Sequence, residues 1–492
     1  MIAPEESGHT YRIVYLRRLL LMISAIFASF ALNPAGVSPQ VTIYNQGFGF
    51  VKEVRTFNLK EGRQTVEVKD VPSLIDATSV GVTSLLDPKS IQVLEQNYRY
   101  DLISPQAILD KSVGRPVRFI RTVGDHREVL QGVLLNAPNA IVSNANGGSS
   151  ETYDGMVIKT DDGRIVLNPT GEVEVASLPT GLISVPTLVW DLNSSKAGPN
   201  PVQMTYITQG MSWHADYVLT LHGEDTADLQ GWVTLDNQSG GTWENAKLKL
   251  LAGDVNQVRQ GFRAFNQADG AVSLRDSAPA FHEESLFEYH LYTLQRPATL
   301  RNKETKQLSL LEGDGVPVHK KLIIDSDGDG NQYYPSEGEV GTGPLKTQVR
   351  LEFTNDEVSH LGMPLPAGKV RVYQRDSEGS VQMLGEDSIN HTPRNEKISL
   401  VVGTSFDVVG SRKRTNFTRI SANNAIESFE IEVRNRSTKP ETVHVYERHW
   451  GDWKITKKSD DFVKLDSQTA DFVLNLKPNE VRTISYTVQT RW

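Results

Sequence analysis

Ser428-Phe429-Glu430-Ile431-Glu432-Val433-Arg434 alternates apolar and polar side chains residue by residue. On an extended backbone Phe429, Ile431 and Val433 point one way, and Ser428, Glu430, Glu432 and Arg434 the other. A period of two marks a strand with one face in a core and one in water. The same beat recurs along the chain. Val370 and Val372 alternate with Lys369, Arg371 and Tyr373; Lys247–Leu250 reads Lys, Leu, Lys, Leu; Ile484, Tyr486 and Val488 alternate with Thr483, Ser485 and Thr487. Turn-formers separate these runs, as in Asp236-Asn237-Gln238-Ser239-Gly240-Gly241. Helical periodicity is scarce, with Pro105–Lys111 the one short candidate. The pattern predicts an all-β chain of antiparallel β-sandwich domains.

Within it, residues 103–178 read as a small SH3-like or Sm-like barrel inserted into a larger β domain. Its signature is a short helix followed by VGRPVRFIR, REVLQGVLL, DGMVIKT, DGRIVLN and EVEVASL, with tight glycine turns between them. The expected organisation is an export signal over 1–31, an N-terminal β segment over 40–102, the barrel over 103–178, a β-sandwich over 180–316 and an immunoglobulin-like β-sandwich over 317–492. No period of 20–50 residues repeats, which argues against a solenoid or propeller.

The first segment is read as an address. Arg12, Arg17 and Arg18 precede the apolar run Leu19–Ala31, and Ser29-Phe30-Ala31 supplies the small residues a signal peptidase reads. The run has 13 residues, where a membrane-spanning helix needs about 20. No later segment is apolar enough to span a bilayer as a helix. The 492 residues include no cysteine, which excludes disulfides, thiolate metal sites, cysteine nucleophiles and the lipidated cysteine of a lipoprotein. A net charge of −9 argues against a broad nucleic-acid surface. The barrel segment alone would suit RNA, but it carries 7 basic and 9 acidic residues between Asp110 and Leu178. The chain is therefore expected to be exported, periplasmic or on the cell surface, without a lipid anchor or a transmembrane span after signal removal.

Several longer stretches stand out together. They are Ser212-Trp213-His214-Ala215-Asp216-Tyr217, LQGWVTLDNQSGGTWENAKLKLLAGDVN (229–256), LGMPLPAGKVRVYQRD (361–376), LGEDSINHTPRNEKISLVVGTSFDVVG (384–410) and ERHWGDWKI (447–455). In this order, across 202–492, they resemble the bacterial family called domain of unknown function 4139, which also forms the C-terminal part of mucoidy-inhibitor-like proteins. The coiled coil of those relatives is absent. The resemblance implies an exported, β-rich protein and supplies no catalytic residue. Trp213, Trp232, Trp243, Trp450 and Trp453 lie on or beside predicted strands, where core packing is the ordinary role. The alternative is stacking on sugar rings in an exposed groove.

Chemistry-bearing patterns are few. Gly362 to Gly368-Lys369-Val370 fails as a phosphate loop: it has one residue too many, no hydroxyl for magnesium, and prolines at 364 and 366. No Gly-x-Ser-x-Gly or His-Glu-x-x-His is present. His214 and Asp216 share a strand face, as a metal pair would. Asp325, Asp327, Asp329 and Asn331, with Gly330 between the last two, place hard oxygens as a calcium loop does, although Ser336 stands where a bidentate Glu belongs. The bland reading is a polar hairpin tip. Glu386, Asp387, His391, Arg394 and Glu396 have the residue types of acid–base catalysis, and equally those of a salt-bridged connection between strands.

The leading expectation is a non-enzymatic binding or scaffolding protein of the cell envelope, its partner an envelope protein or polysaccharide. One rival is an envelope hydrolase with paired carboxylates near Glu386 or Glu244. Another is a calcium-dependent adhesion module.

Overall fold

The computed structural model describes residues 37–123, 126–137, 139–145, 148–169, 172–253, 255–256, 281–326 and 341–492. Strands take up 67% of the structure and helix 2%, so the all-β expectation holds. The heptapeptide Ser428–Arg434 lies in the strand Asn424–Asn435, with Phe429, Ile431 and Val433 all but fully buried. The short helix forms over Pro105–Asp110. Ser104 caps it, its hydroxyl accepting from Ala107 N at 3.0 Å, and Pro105 opens it. No helix among the described residues is long and apolar enough to cross a membrane.

Three buried clusters organise the chain. The largest gathers residues from Val41 to Leu400. Around it stand an eight-stranded sheet, the three-stranded sheet Gly62–Lys69, Thr187–Ser194, Ile91–Arg99, and a five-stranded sheet. The second cluster joins Leu322 to Val488 inside a nine-stranded sheet. That sheet folds over on itself. Phe472, on its second-last strand, lies 5.6 Å from Tyr486, on its second strand. Residues beyond 317 serve both cores: Leu351, Phe353, Val370, Val372, Ile398 and Leu400 pack into the first. The 25-residue strand Lys397–Ser421 carries Ile398 and Leu400 in the first core and Val408 in the second.

The third cluster, Leu109, Val117, Phe119, Leu134, Met156 and Ile158, belongs to the segment expected as a barrel. The strands flanking it, Ile91–Arg99 and Thr187–Ser194, pair directly, so the chain departs from and returns to one place. Its sheet runs Ile165–Leu167, Val157–Thr160, His126–Leu134, Pro116–Val123, Glu172–Val175. The closed SH3/Sm-like barrel is corrected to an open sheet. The terminal strands have three and four residues and pair only inward, so among the described residues no ladder closes the ring.

The antiparallel expectation has three exceptions among the named strands. Gln40–Tyr44 pairs in parallel with Trp243–Ala252, Met211–His222 with Gly368–Arg375, and His319–Asp325 with Glu441–Arg448. Each crossover into the later strand of these pairs is pinned by a buried asparagine. Asn237 donates to Gly241 O (2.9 Å) and Arg301 O (3.0 Å). Asn355 donates to Met363 O (2.8 Å) and Pro393 O (3.0 Å). Asn435 donates to Lys439 O (2.8 Å) and Lys477 O (3.1 Å). In each case the side-chain oxygen also accepts a backbone N–H, from Ser239, Gly362 or Ser437. A carboxamide offers both donors and an acceptor, which is what a loop sealed from water requires.

Candidate functional site

The five-stranded sheet runs Glu304–Pro317, Thr226–Asn237, Met211–His222, Gly368–Arg375, Val381–Ile389. Alternation sorts its side chains. Trp213, Ala215, Tyr217, Leu229, Val233, Leu235, Val370 and Val372 enter the first core. The opposite parity places His214, Asp216, Trp232, Thr234, Lys369, Arg371 and Tyr373 on the outer face. Register then sets the neighbours. Asp216 lies opposite Trp232 on one side and Lys369 on the other, and Arg371 lies opposite Glu386.

A polar row results. Gln307 Nε2 donates to Thr234 Oγ1 at 3.2 Å, and that hydroxyl donates to Asp216 Oδ2 at 3.1 Å. His214 Nε2 is 3.1 Å from the same oxygen. Arg371 stands between two carboxylates, 3.7 Å from Asp216 and 3.6 Å from Glu386, and Lys369 is 3.7 Å from Glu386. The His214 contact, with Thr234 and Arg371 adding, outweighs burial and holds the Asp216 carboxyl below the usual carboxylate range. Asp216 is therefore ionised at neutral pH. In a paired-carboxylate glycoside hydrolase it could serve only as the ionised member and not as the proton donor.

The sequence-nominated cluster is divided by the fold. Glu386 joins the outer face. Asp387, one residue on, faces inward: its carboxylate accepts Val401 N (2.7 Å) and Ser388 N (2.8 Å), tying the Val381–Ile389 strand to Lys397–Ser421. The two strands approach so closely there that a Cβ on Gly385 would meet Val402 O at 1.9 Å. His391 Nδ1 accepts Ala367 N at 3.1 Å. Arg394 reaches Glu283 at 3.5 Å, a carboxylate also held by His290 Nδ1 at 2.8 Å. Glu396 contributes its backbone carbonyl to Asn355 N. Glu244 is exposed on Trp243–Ala252.

Of the calcium-loop candidates, Asp325 is gripped by Arg448, with Nε at 3.1 Å and Nη2 at 2.8 Å. Asp327, Asp329 and Asn331 lie outside the described residues. Among the described residues no group of three or more His, Asp or Glu converges as metal ligands would. The tryptophans also separate. Trp213, Trp243 and Trp453 are buried, Trp450 is half-buried, and Trp232 lies partly exposed on the outer face.

Some polar groups escaped the sequence reading. Arg412 and Glu447, 5% and 0% exposed, form a forked pair inside the second core, and the Tyr486 hydroxyl donates to the same carboxylate. Burial alone would lower the Arg412 pKa, but the Glu447 and Tyr486 charges and hydrogen bonds together more than offset it and the net direction is up. His449, packed 4.7 Å from the Trp453 ring, is pushed by burial down to about 3. Arg55, Glu53, Tyr206 and Trp243 form a comparable chain in the first core. A signal existed: Arg412, Glu447 and Tyr486 each fall on the inward beat of an alternating strand. A cleft of about 520 Å³ opens on the inserted sheet, beside Pro116, Val117 and Val175. Its charged walls Arg118 and Glu174 already pair at 3.0 Å. Comparison of the chain with protein-family models and with the curated proteins finds no match.

Proposed function

We propose that this chain is an exported, non-enzymatic binding or scaffolding protein of the bacterial cell envelope, periplasmic or surface-exposed. The observation that carries this reading is the use made of the acid–base side chains. Asp387 and His391 hold backbone amides of neighbouring segments, and Arg394 reaches across to the Glu283 carboxylate. Groups committed to holding loops are poorly placed to shuttle protons. A polar sheet face is meanwhile left open to a partner. The export-type N-terminus, the absence of cysteine and the motif resemblance to the domain of unknown function 4139 family support the envelope setting.

The test is fractionation followed by cross-linking of the full chain in its native envelope. The expected result is a processed polypeptide in the envelope fraction, with a partner captured reproducibly. Recovery of the unprocessed chain in the cytosol would sink the proposal. So would a turnover that Glu386→Ala abolishes while the fold stays intact.

A further inference from the structure

We infer that the outer face of the five-stranded sheet is a platform for a neutral, hydroxyl-rich glycan chain, with Trp232 as the stacking surface. The inference rests on the envelope-binding reading and names its ligand class. Trp232 occupies an outward position on the second of the five strands, partly exposed, opposite Asp216 on the central strand. Four tryptophans, including Trp213 on the adjacent strand, are buried to 8% exposure or less. Core packing accounts for those and not for Trp232. Around it the outward side chains stay open to solvent: His214 is exposed, and Asp216, Lys369, Arg371 and Tyr373 are partly exposed.

The charges around the indole decide what suits it. Lys369 and Arg371 supply two positive groups, and Asp216 and Glu386 two negative ones. A phosphate or polyanion would meet the carboxylates, and a cationic ligand would meet the ammonium and guanidinium. A hydroxyl is both donor and acceptor, so a sugar can use both kinds of group side by side. Arg371 lies 3.6 and 3.7 Å from its two carboxylates, paired with both but beyond hydrogen-bond length, so its planar fork of donors can still reach a ligand hydroxyl. The apolar C–H face of a pyranose ring matches the face of an indole. Trp232 and Arg371 stand two strands and two residues apart, about 12 Å at ordinary strand spacing and rise, within reach of one short oligosaccharide. Tyr373, also outward and partly exposed, extends the surface along the same strand.

The experiment uses the full chain in affinity electrophoresis through dextran and through alginate, with calorimetry against an N-acetylglucosamine tetramer. Retardation in dextran or heat with the tetramer is expected, weakened about tenfold or more by Trp232→Ala, since an aromatic stacking contact with its buried area is worth about one factor of ten. Trp232→Phe should retain most of the binding. Far-UV circular dichroism should be unchanged in both variants, because the indole lies outside the core. Binding to neither neutral probe, binding to alginate alone, or neutral binding that Trp232→Ala leaves intact would overturn the inference. A protein captured in the envelope cross-link by a chain that binds no neutral glycan would end this inference and leave the broader reading standing.

Discussion

Replacing Glu447 with Gln preserves shape and removes one charge from the second core. Its carboxylate receives Arg412 Nε at 2.9 Å and Nη2 at 2.7 Å, and the Tyr486 hydroxyl besides. The guanidinium also stacks 3.7 Å from the centre of the Phe429 ring and donates to Gly341 O at 2.8 Å. With both charges almost fully buried, water cannot replace the lost partner. Breaking a buried ion pair from one side costs about 3–5 kcal/mol, a factor of about 10² to 10⁴ in the unfolding equilibrium. At a urea dependence of about 2 kcal/mol per molar, the midpoint should fall by about 2 M. Removing the whole set by Arg412→Met, Glu447→Leu and Tyr486→Phe together leaves no orphaned charge and should recover most of the loss. The assay is urea unfolding followed by tryptophan emission. Trp453 lies in the same core, so Trp453→Phe identifies the transition to watch. A Glu447→Gln midpoint within about 0.3 M of the parent, less than about 1 kcal/mol, would refute the reasoning. So would a triple variant no more stable than the single one.

Two further outcomes follow from buried polar groups. The folded protein holds His449 neutral down to about pH 3, whereas the unfolded imidazole takes a proton below about 6.5; stability is thus full above pH 6.5 and falls on acidification toward 3, by up to about 1.4 kcal/mol per pH unit, and His449→Phe should flatten that decline in urea titrations at pH 7, 6, 5 and 4, parallel decline in both proteins counting against it. Asn355→Asp keeps an acceptor for Gly362 N but turns the donors to Met363 O and Pro393 O into a carboxylate facing carbonyls, so thermal melts should show a loss of about 3 kcal/mol or more, and an unchanged melting temperature would exclude the pinning role.

Much of the local architecture was legible in the sequence, and little of the site was. The alternation at Ser428–Arg434 and Lys369–Arg375 reappears as strands with the expected inward residues. The same parity, carried one step further, separates Glu386 from Asp387: neighbours in sequence point to opposite faces, one to solvent and one to the Val401 amide. Grouping those two with His391 and Arg394 by proximity along the chain therefore joined residues that act in different places. His214 and Asp216 were rightly placed on one face, but nothing local showed that Arg371, more than 150 positions on, would sit between Asp216 and Glu386.

What the amino-acid order settled by itself is the direction of each side chain, because an extended backbone turns successive Cβ atoms to opposite sides whatever it pairs with. What only the tertiary structure decided is company: the parallel match of Met211–His222 with Gly368–Arg375, the burial of Arg412 against Glu447, and the partial exposure of Trp232 where Trp213 is covered. Strand pairing joins backbone groups that are alike at every position, so the choice of partner is made by the packing of the whole core and not by any one segment.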